Sequence, residues 1–379
     1  MLQDAQIALG RQLLDYIDTR STAMAPDLYL QPVDEYVSHA TAAREQQRLF
    51  RALPMCVGMS GLLAQPGSFQ THDVSGLPLL LTRNEQGRVQ AFLNVCRHRG
   101  ARVAEQCGKA RALVCPYHAW SYDMNGKLKV RPADGAFDGA PHESLGLTPL
   151  ATAERDGLIW VMPRAQDSLD LDTHLGALNA ELASFKLAGF HHYETRTLTR
   201  RMNWKLLLDT FLESYHFCVL HRDSICSIFY DNLGAFDHWG PHFRLVSPRK
   251  SIEEIRGEQA PRWNLMPHIV SIYVLFPNTV LVWQLDHIEL WQIHPGATPD
   301  ESITLLSLYT PEPAHSEAAR RHWNKNMDLV VHVVENEDFP VGEGIQRGFH
   351  SGAQDSILFG RNEPGLIHFH RSVSAALGA

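Results

Sequence analysis

The chain opens on MLQDAQIALGRQLLDYIDTR, where apolar residues recur at roughly helical spacing between Asp and Arg. SHATAAREQQRLFRAL (residues 38–53) is rich in helix formers and stops at Pro54, so residues 1–45 read as a helical segment. The pattern then shifts to a period of two. LPLLLTRNEQGRVQAFLNV (77–95) and WSYDMNGKLKV (120–130) read as strand–turn–strand hairpins, and LIWVMP (158–163) closes that region. Beyond it, helices are predicted near 172–188, 203–222 and 316–347, alternating with the strand-like runs HIVSIYVLFPNTVLVWQLD (268–286) and HIELWQIHPG (287–296). An α+β chain in three pieces follows: 1–45, 46–163 and 164–379. No internal repeat or long low-complexity linker interrupts them.

Composition narrows the function. At 379 residues, 44% hydrophobic and 20% charged, the chain reads as globular, with a core large enough for two or three domains. A net charge of −8 with no basic arm argues against nucleic acid as a partner. No apolar run is long enough to span a bilayer and the N-terminus has no signal-peptide core, so a cytoplasmic location without membrane contact is expected. The six cysteines, at 56, 96, 107, 115, 218 and 226, do not form the framework of a secreted disulfide protein. Their local grouping near residue 100 invites a metal reading instead.

That group is NVCRHRGARVAEQCGKARALVCPYHAW, residues 94–120. Cys96 and His98 form C-x-H, sixteen residues intervene, and Cys115 and His118 form C-x-x-H. A short strand precedes the first pair and Pro116 marks a turn at the second, so two loops would each present one sulfur and one imidazole. Tetrahedral zinc accepts that ligand set. So does a Rieske-type [2Fe–2S] cluster, with two thiolates on one iron and two imidazoles on the other. Cys107, between the loops, reads as a small residue of the linking hairpin.

About a hundred residues on, RRMNWKLLLDTFLESYHFCVLHRDS (200–224) has helical apolar spacing at Leu206, Leu207, Phe211 and Leu212. Asp209, Glu213 and His216 then fall on one helical face. His221 is offset from His216 by roughly 140° on an ideal helix, so both reach one metal only if the helix loosens there. Two imidazoles and a carboxylate on one side of Fe(II) form the facial triad of mononuclear oxygenases. The carboxylate is expected in VVHVVENEDFPVGEGIQRGFHSG (330–352), where Glu335, Glu337 and Asp338 compete. Asp338 is preferred, as a short side chain beside the helix distortion that Pro340 imposes.

CRH, CPYHAWSYDMNGKL, NWKLLLDTFLESYHFCVLH and ENEDFPVGEGIQRG, in this order, resemble the motifs of the catalytic α subunits of Rieske non-haem iron oxygenases, the ring-hydroxylating oxygenase superfamily. The resemblance runs from about residue 45 through nearly the whole chain. It implies an all-β Rieske domain (46–163), a catalytic domain resembling the helix-grip fold (164–379), and an N-terminal segment (1–45) packed on the latter. It implies Cys96, His98, Cys115 and His118 on the cluster, and His216, His221 and Asp338 on the mononuclear iron. Glu213 takes the place of the family's bridging acid. There this chain is similar to the branch containing carnitine, choline and glycine-betaine monooxygenases, whereas many ring dioxygenases carry Asp. Asn203, Trp204 and Asp209 belong to the same motif, with Asp209 expected to support the network between centres. The resemblance also implies a homotrimer in which His118 of one subunit approaches Glu213 of the next.

The expected function is that of an oxygenase component hydroxylating or oxidatively demethylating a small aromatic or quaternary-amine substrate with O₂. Without a glycine-rich dinucleotide fingerprint or a second cysteine cluster, electrons must come from NAD(P)H through a separate reductase, directly or via a ferredoxin. The competing reading is a zinc-stabilised small-molecule binding module without redox activity. Three other features carry further expectations. Phe229, Tyr230, Phe236, Trp239 and Phe243 are candidates to roof a pocket. Arg244, Arg249 and Lys250 read as solvated cations with a secondary potential for a substrate carboxylate. His287 and Glu289 share one strand face and His294 takes the other, which reads as structural rather than metal-binding.

Overall fold

The computed structural model describes residues 1–73, 76–164 and 168–378. Two units form: Phe50–His174 with Lys186–His191, and Met1–Leu49 with Leu175–Phe185 and His192–Ala379.

The smaller unit is all β apart from short helical turns. A five-stranded antiparallel sheet runs in the order Pro149–Leu150, Val89–Leu93, Leu79–Arg83, Ser68–His72, Cys107–Lys109. Both hairpins predicted from the period-two pattern form, with Arg83 opposite Val89 in one and Ser121 opposite Val130 in the other. The second turns at Gly126, whose φ of 75° suits glycine; a Cβ there would lie 2.4 Å from the Phe92 ring. Leu80, Phe92, Trp120, Tyr122 and Leu128 make a core shared with Cys96 and Cys115. The two cysteines of interest are therefore anchored in packed apolar surroundings, and Cys107 lies exposed on the edge strand.

The larger unit is built on a seven-stranded antiparallel sheet: His191–Arg200, Ser302–Thr310, Ile288–Pro295, Thr279–Trp283, Ile269–Leu275, His242–Pro248, Ala235–Trp239. Helix Trp204–Asp209 packs on strand Ile288–Pro295 and on helix Phe339–Phe349, an α+β arrangement. Under that short helix, Lys205 and Glu45 form an ion pair with side chains 0% and 2% exposed, and Trp204 Nε1 donates to Glu45 at 2.8 Å. Among the described residues no helix is long and apolar enough to cross a membrane.

Three helix expectations are revised. Residues 1–45 are not continuously helical: helix Gln3–Thr19 ends at Arg20, and Tyr29–Pro32, which follows Pro26 and ends on Pro32, pairs instead with Ser356–Phe359. Gly10 of the first helix allows close approach of Trp263, whose ring would lie 3.1 Å from a Cβ there. The segment predicted near 172–188 splits at Gly176, φ 52°, into Leu171–Leu175 and Leu178–Ser184. The 316–347 segment persists as Glu317–Val333 and Phe339–Phe349, joined by a π-turn at Val334–Asp338. Pro340 lacks the N–H that would bond the residue 336 carbonyl, and its ring crowds that carbonyl, so the wider turn relieves both.

Candidate metal centres

In the smaller unit two tight loops face each other. Cys96 N–H bonds Ala101 O at 2.8 Å and Gly100 N–H returns to Cys96 O at 3.0 Å. The second loop repeats the device, with Cys115 N–H on Trp120 O at 2.9 Å and Ala119 N–H on Cys115 O at 3.0 Å. Each turn brings its cysteine and histidine to one side. His98 Nδ1 and His118 Nδ1 stand 3.1 Å apart, and His98 stacks on Trp120 with centroids 4.9 Å apart.

Cys96 and Cys115 are buried thiols in mutual contact, with the Tyr122 hydroxyl 3.3 Å from Cys96 Sγ. Burial pushes the Cys115 thiol up and Cys96 adds to this, while the backbone N–H groups of Tyr117 and His118 pull it down. Burial, then His98 and Arg99, hold the His118 imidazole below its ordinary value and so neutral. The donors thus sort into a sulfur pair and a nitrogen pair. Among the described residues no three of these four bring their donor atoms into one cluster, as a single tetrahedral zinc requires. Two metal positions, one faced by sulfur and one by nitrogen, suit a two-iron cluster better.

In the larger unit the expected helix 203–222 is interrupted. Asn203 caps Trp204–Asp209: its Oδ1 accepts Lys205 N–H at 3.0 Å while Nδ2 donates to Tyr36 O and Pro299 O, both at 2.9 Å. The helix ends at Asp209, so Asp209, Glu213 and His216 do not share a helical face. Asp209 instead accepts from Tyr36 Oη at 2.8 Å and meets His370 Nε2 at 2.8 Å.

Glu213 stops the helix from resuming. One carboxylate oxygen accepts backbone N–H groups of Tyr215 and His216, the latter at 3.1 Å, and the other holds His216 Nδ1. A single turn, Phe217–Leu220, follows and ends at His221 with φ −94° and ψ 30°. This break overcomes the angular offset between the histidines: Nε2 of His216 and Nε2 of His221 come within 3.2 Å. Cys218 and Cys226 bond to each other across the same stretch, a pairing that the cysteine spacing did not foretell.

The π-turn separates the three competing acids by role. Asp338 Oδ1 lies 3.3 Å from His221 Nε2 and 3.7 Å from His216 Nε2. The donor atoms of these three residues all fall within 4.8 Å of one another, which fits one metal ion. Glu335 turns outward to Arg200. Glu337 Oε2 takes His221 Nδ1 at 2.5 Å and the Ser224 hydroxyl at 2.7 Å, a role that sequence reasoning missed. Each imidazole therefore carries a carboxylate on Nδ1, which orients Nε2 toward the shared point. Burial pulls the His221 imidazole down, but Asp338 and Glu337 carry it above its ordinary value. Burial pushes the Glu337 carboxyl up, yet the bonds from His221 and Ser224 hold it below its usual range.

A cavity of about 340 Å³ adjoins these three residues, walled by Phe211, Phe217, Phe229 and Trp291 among others. Of the five aromatics expected to roof it, only Phe229 does so. Phe243 is buried, Phe236 meets His368, Trp239 stacks on Tyr273 and the Tyr230 hydroxyl bonds Glu253. The solvated reading of Arg244 and Arg249 is also revised: Arg244 is 6% exposed and paired with Glu181 and Asp237, and Arg249 lines the cavity. Lys250 remains exposed. His287 and Glu289 share a face, 3.6 Å apart, and both border the cavity, while His294 lies beside Asn278 at 3.4 Å.

Residues 187–379 match the family Ring hydroxylating alpha subunit (catalytic domain), and residues 54–147 match Rieske [2Fe-2S] domain. The chain is similar to the glycine betaine monooxygenase oxygenase subunit of Chromohalobacter salexigens, 32% identical over 49% of this chain but only 42% of that relative's length. It is 29% identical to the carnitine monooxygenase oxygenase subunit of Acinetobacter pittii over 89% of this chain and 92% of the relative. Its fold is similar to that of the quaternary ammonium Rieske monooxygenase CntA in complex with L-carnitine, with a TM-score of 0.80 at 19% identity, covering 93% and 96% of the two chains.

Proposed function

The chain belongs to the ring-hydroxylating α-subunit family and carries its Rieske domain, and from that premise we propose that it is the oxygenase component of a multicomponent Rieske oxygenase. The two matched domains imply a [2Fe–2S] cluster and a non-haem Fe(II). Cys96, Cys115, His98 and His118 would hold the first, and His216, His221 and Asp338 the second. When bound, these groups supply the electrons and the activation of O₂ that oxygenation needs. The substrate is a small organic molecule that is hydroxylated or oxidatively demethylated. Relatives named for carnitine and glycine betaine support a quaternary amine over an aromatic ring.

The protein's own groups do the positioning. Glu213 and Glu337 each keep a proton on Nδ1 of their histidine, which leaves both Nε2 lone pairs on the side of Asp338, where they would ligate a metal. The Asp338 carboxylate adds the charge that a dication favours. Apolar walls exclude water and hold the substrate beside the site. A separate reductase, directly or through a ferredoxin, delivers electrons in the cytoplasm. In the homotrimer His118 of one subunit would approach Glu213 of the next, so that Glu213, which holds His216 Nδ1, would link the residues of the two centres.

The observation that carries the proposal is the convergence of His216, His221 and Asp338 at the edge of an apolar cavity, in a chain that also pairs two buried thiols with two imidazoles. The test is turnover with a surrogate reductase and NADH over a panel of N-methylated and aromatic compounds, following formaldehyde release and hydroxylated products. Substrate-dependent product in wild type but not in Asp338→Ala is expected. Product formation unchanged in that variant contradicts the proposal.

A further inference from the structure

Among the described residues, Arg249 is the one cavity-lining side chain with a permanent positive charge. Its placement is fixed from several sides. The guanidinium lies 4.8 Å over the Phe229 ring, Nη2 donates to Gln284 Oε1 at 2.9 Å, and Nε donates to Ile269 O at 3.4 Å. Gln284 is itself oriented, since its Nε2 donates to Glu289 Oε1 at 3.2 Å while Glu289 Oε2 takes Trp291 Nε1 at 3.0 Å. With its NH₂ group committed to Glu289, Gln284 must turn its carbonyl oxygen toward Arg249.

This arrangement leaves Arg249 with no carboxylate at ion-pair distance among the described residues, and with three of its five N–H donors lacking a protein acceptor there. Arg244, on the strand that leads into Arg249, shows the contrast: its guanidinium is paired with both Glu181 and Asp237. The acids nearest to Arg249 are already engaged. Glu289 is held by Gln284 and Trp291, and Asp286 by His287 and His322, each at 2.7–2.8 Å. Burial lowers the Arg249 pKa, opposed by the charges of Glu289 and Asp286, yet a guanidinium stays charged. A cation held in a largely apolar cavity with spare donors is stabilised by an anion brought from outside.

We infer that Arg249, positioned by Gln284 and Phe229, is the specificity residue for an anionic group, so that the substrate is a carboxylate whose apolar or N-methylated body lies against Phe211, Phe217 and Trp291. This rests on the reading of the cavity as the substrate site, and it narrows the quaternary amines to those that also carry an acid. An alcohol or amide of the same shape leaves the guanidinium without its counter-charge.

Binding without turnover tests it. Calorimetry on the purified holoprotein, without reductase, compares two matched pairs: γ-butyrobetaine with its amide, and 3-phenylpropionate with 3-phenylpropionamide. In at least one pair the acid is expected to bind roughly ten- to a hundredfold more tightly than the amide. Arg249→Met should remove that preference while shifting the amide's Kd by less than about threefold, and Arg249→Lys should keep part of the preference. Equal binding of acid and amide by wild type, failure of both acids to bind, or equal losses for acid and amide in Arg249→Met would each overturn the inference. The wild-type comparison stands even if a variant misfolds. A protein with iron, cluster and turnover but no acid preference defeats this inference alone, whereas acid preference without either metal centre defeats the oxygenase reading alone.

Discussion

Replacing Glu213 with glutamine exchanges one oxygen for an NH₂ group and removes a charge, and the surroundings show where each loss falls. One oxygen of Glu213 serves His216 Nδ1 and the other accepts the backbone N–H groups of Tyr215 and His216. Glutamine has a single acceptor oxygen. It can serve the ring or the backbone turn but not both, and its NH₂ then faces a donor. Loss of one hydrogen bond to a charged group costs roughly 1.5–3 kcal/mol. Removing the carboxylate partner of a ligating histidine costs roughly ten- to a hundredfold in metal affinity, about 1.4–2.7 kcal/mol, so the two figures agree. The assay is competition for iron with a graded series of chelators, using cluster absorbance as the internal control. Glu213→Gln should bind iron about ten- to a hundredfold more weakly, with cluster absorbance unchanged and slower cluster reoxidation in a single turnover. Glu213→Asp, which keeps the charge on a shorter arm, should fall between. A folded Glu213→Gln protein with wild-type iron affinity and wild-type reoxidation would refute the reasoning.

Three further outcomes follow from other parts of the fold. Glu45→Gln strands the buried Lys205 ammonium and should cost about 3–5 kcal/mol in denaturant melts, whereas Glu45→Leu with Lys205→Met should recover most of that; equal losses contradict the account. The Cys218–Cys226 bond closes a loop of sequence separation 8 that contains His221, and the closure entropy is about 2.5 kcal/mol. Reduction, verified by thiol titration, should therefore speed iron release to a chelator, and an unchanged rate would show that the loop is held by other means. Burial holds His72 at a pKa of about 4, below its unfolded value of 6.5, so the neutral form is favoured in the fold. Stability should be intact above pH 6.5 and fall as pH drops toward 4, by about 2 kcal/mol at pH 5 from this residue; His72→Gln should flatten that slope, and an identical slope would count against it.

Local spacing made much of the arrangement legible. C-x-H and C-x-x-H lie in loops closed by bonds to residues four or five positions away, so their geometry depends little on distant partners. The period-two runs in 77–95 and 120–130 became hairpins because one face of each strand packs in a single core. What escaped depends on contacts far apart in sequence. Helical spacing in 203–222 hid the break after Asp209, where bonds to Tyr36 and His370 and the turn made by Glu213 outweigh propensity. The three acids at 335–338 look alike in sequence, and only the π-turn sends Asp338 inward, Glu337 to His221 and Glu335 to Arg200. Arg249 enters the cavity because strands distant in sequence bring Gln284 and Glu289 beside it, a register that no motif encodes.

The central claim is that one chain holds a two-iron cluster on two thiols and two imidazoles, and a separate single iron on His216, His221 and Asp338. Iron and acid-labile sulfide analysis of wild type and Asp338→Ala, combined with electron paramagnetic resonance of the dithionite-reduced proteins, measures both at once. Wild type should give about three irons and two sulfides per chain with the signal of a reduced Rieske centre, and Asp338→Ala about two irons with that signal intact. Zinc in place of iron with no signal, or an Asp338→Ala protein that retains its full iron content, would contradict the account.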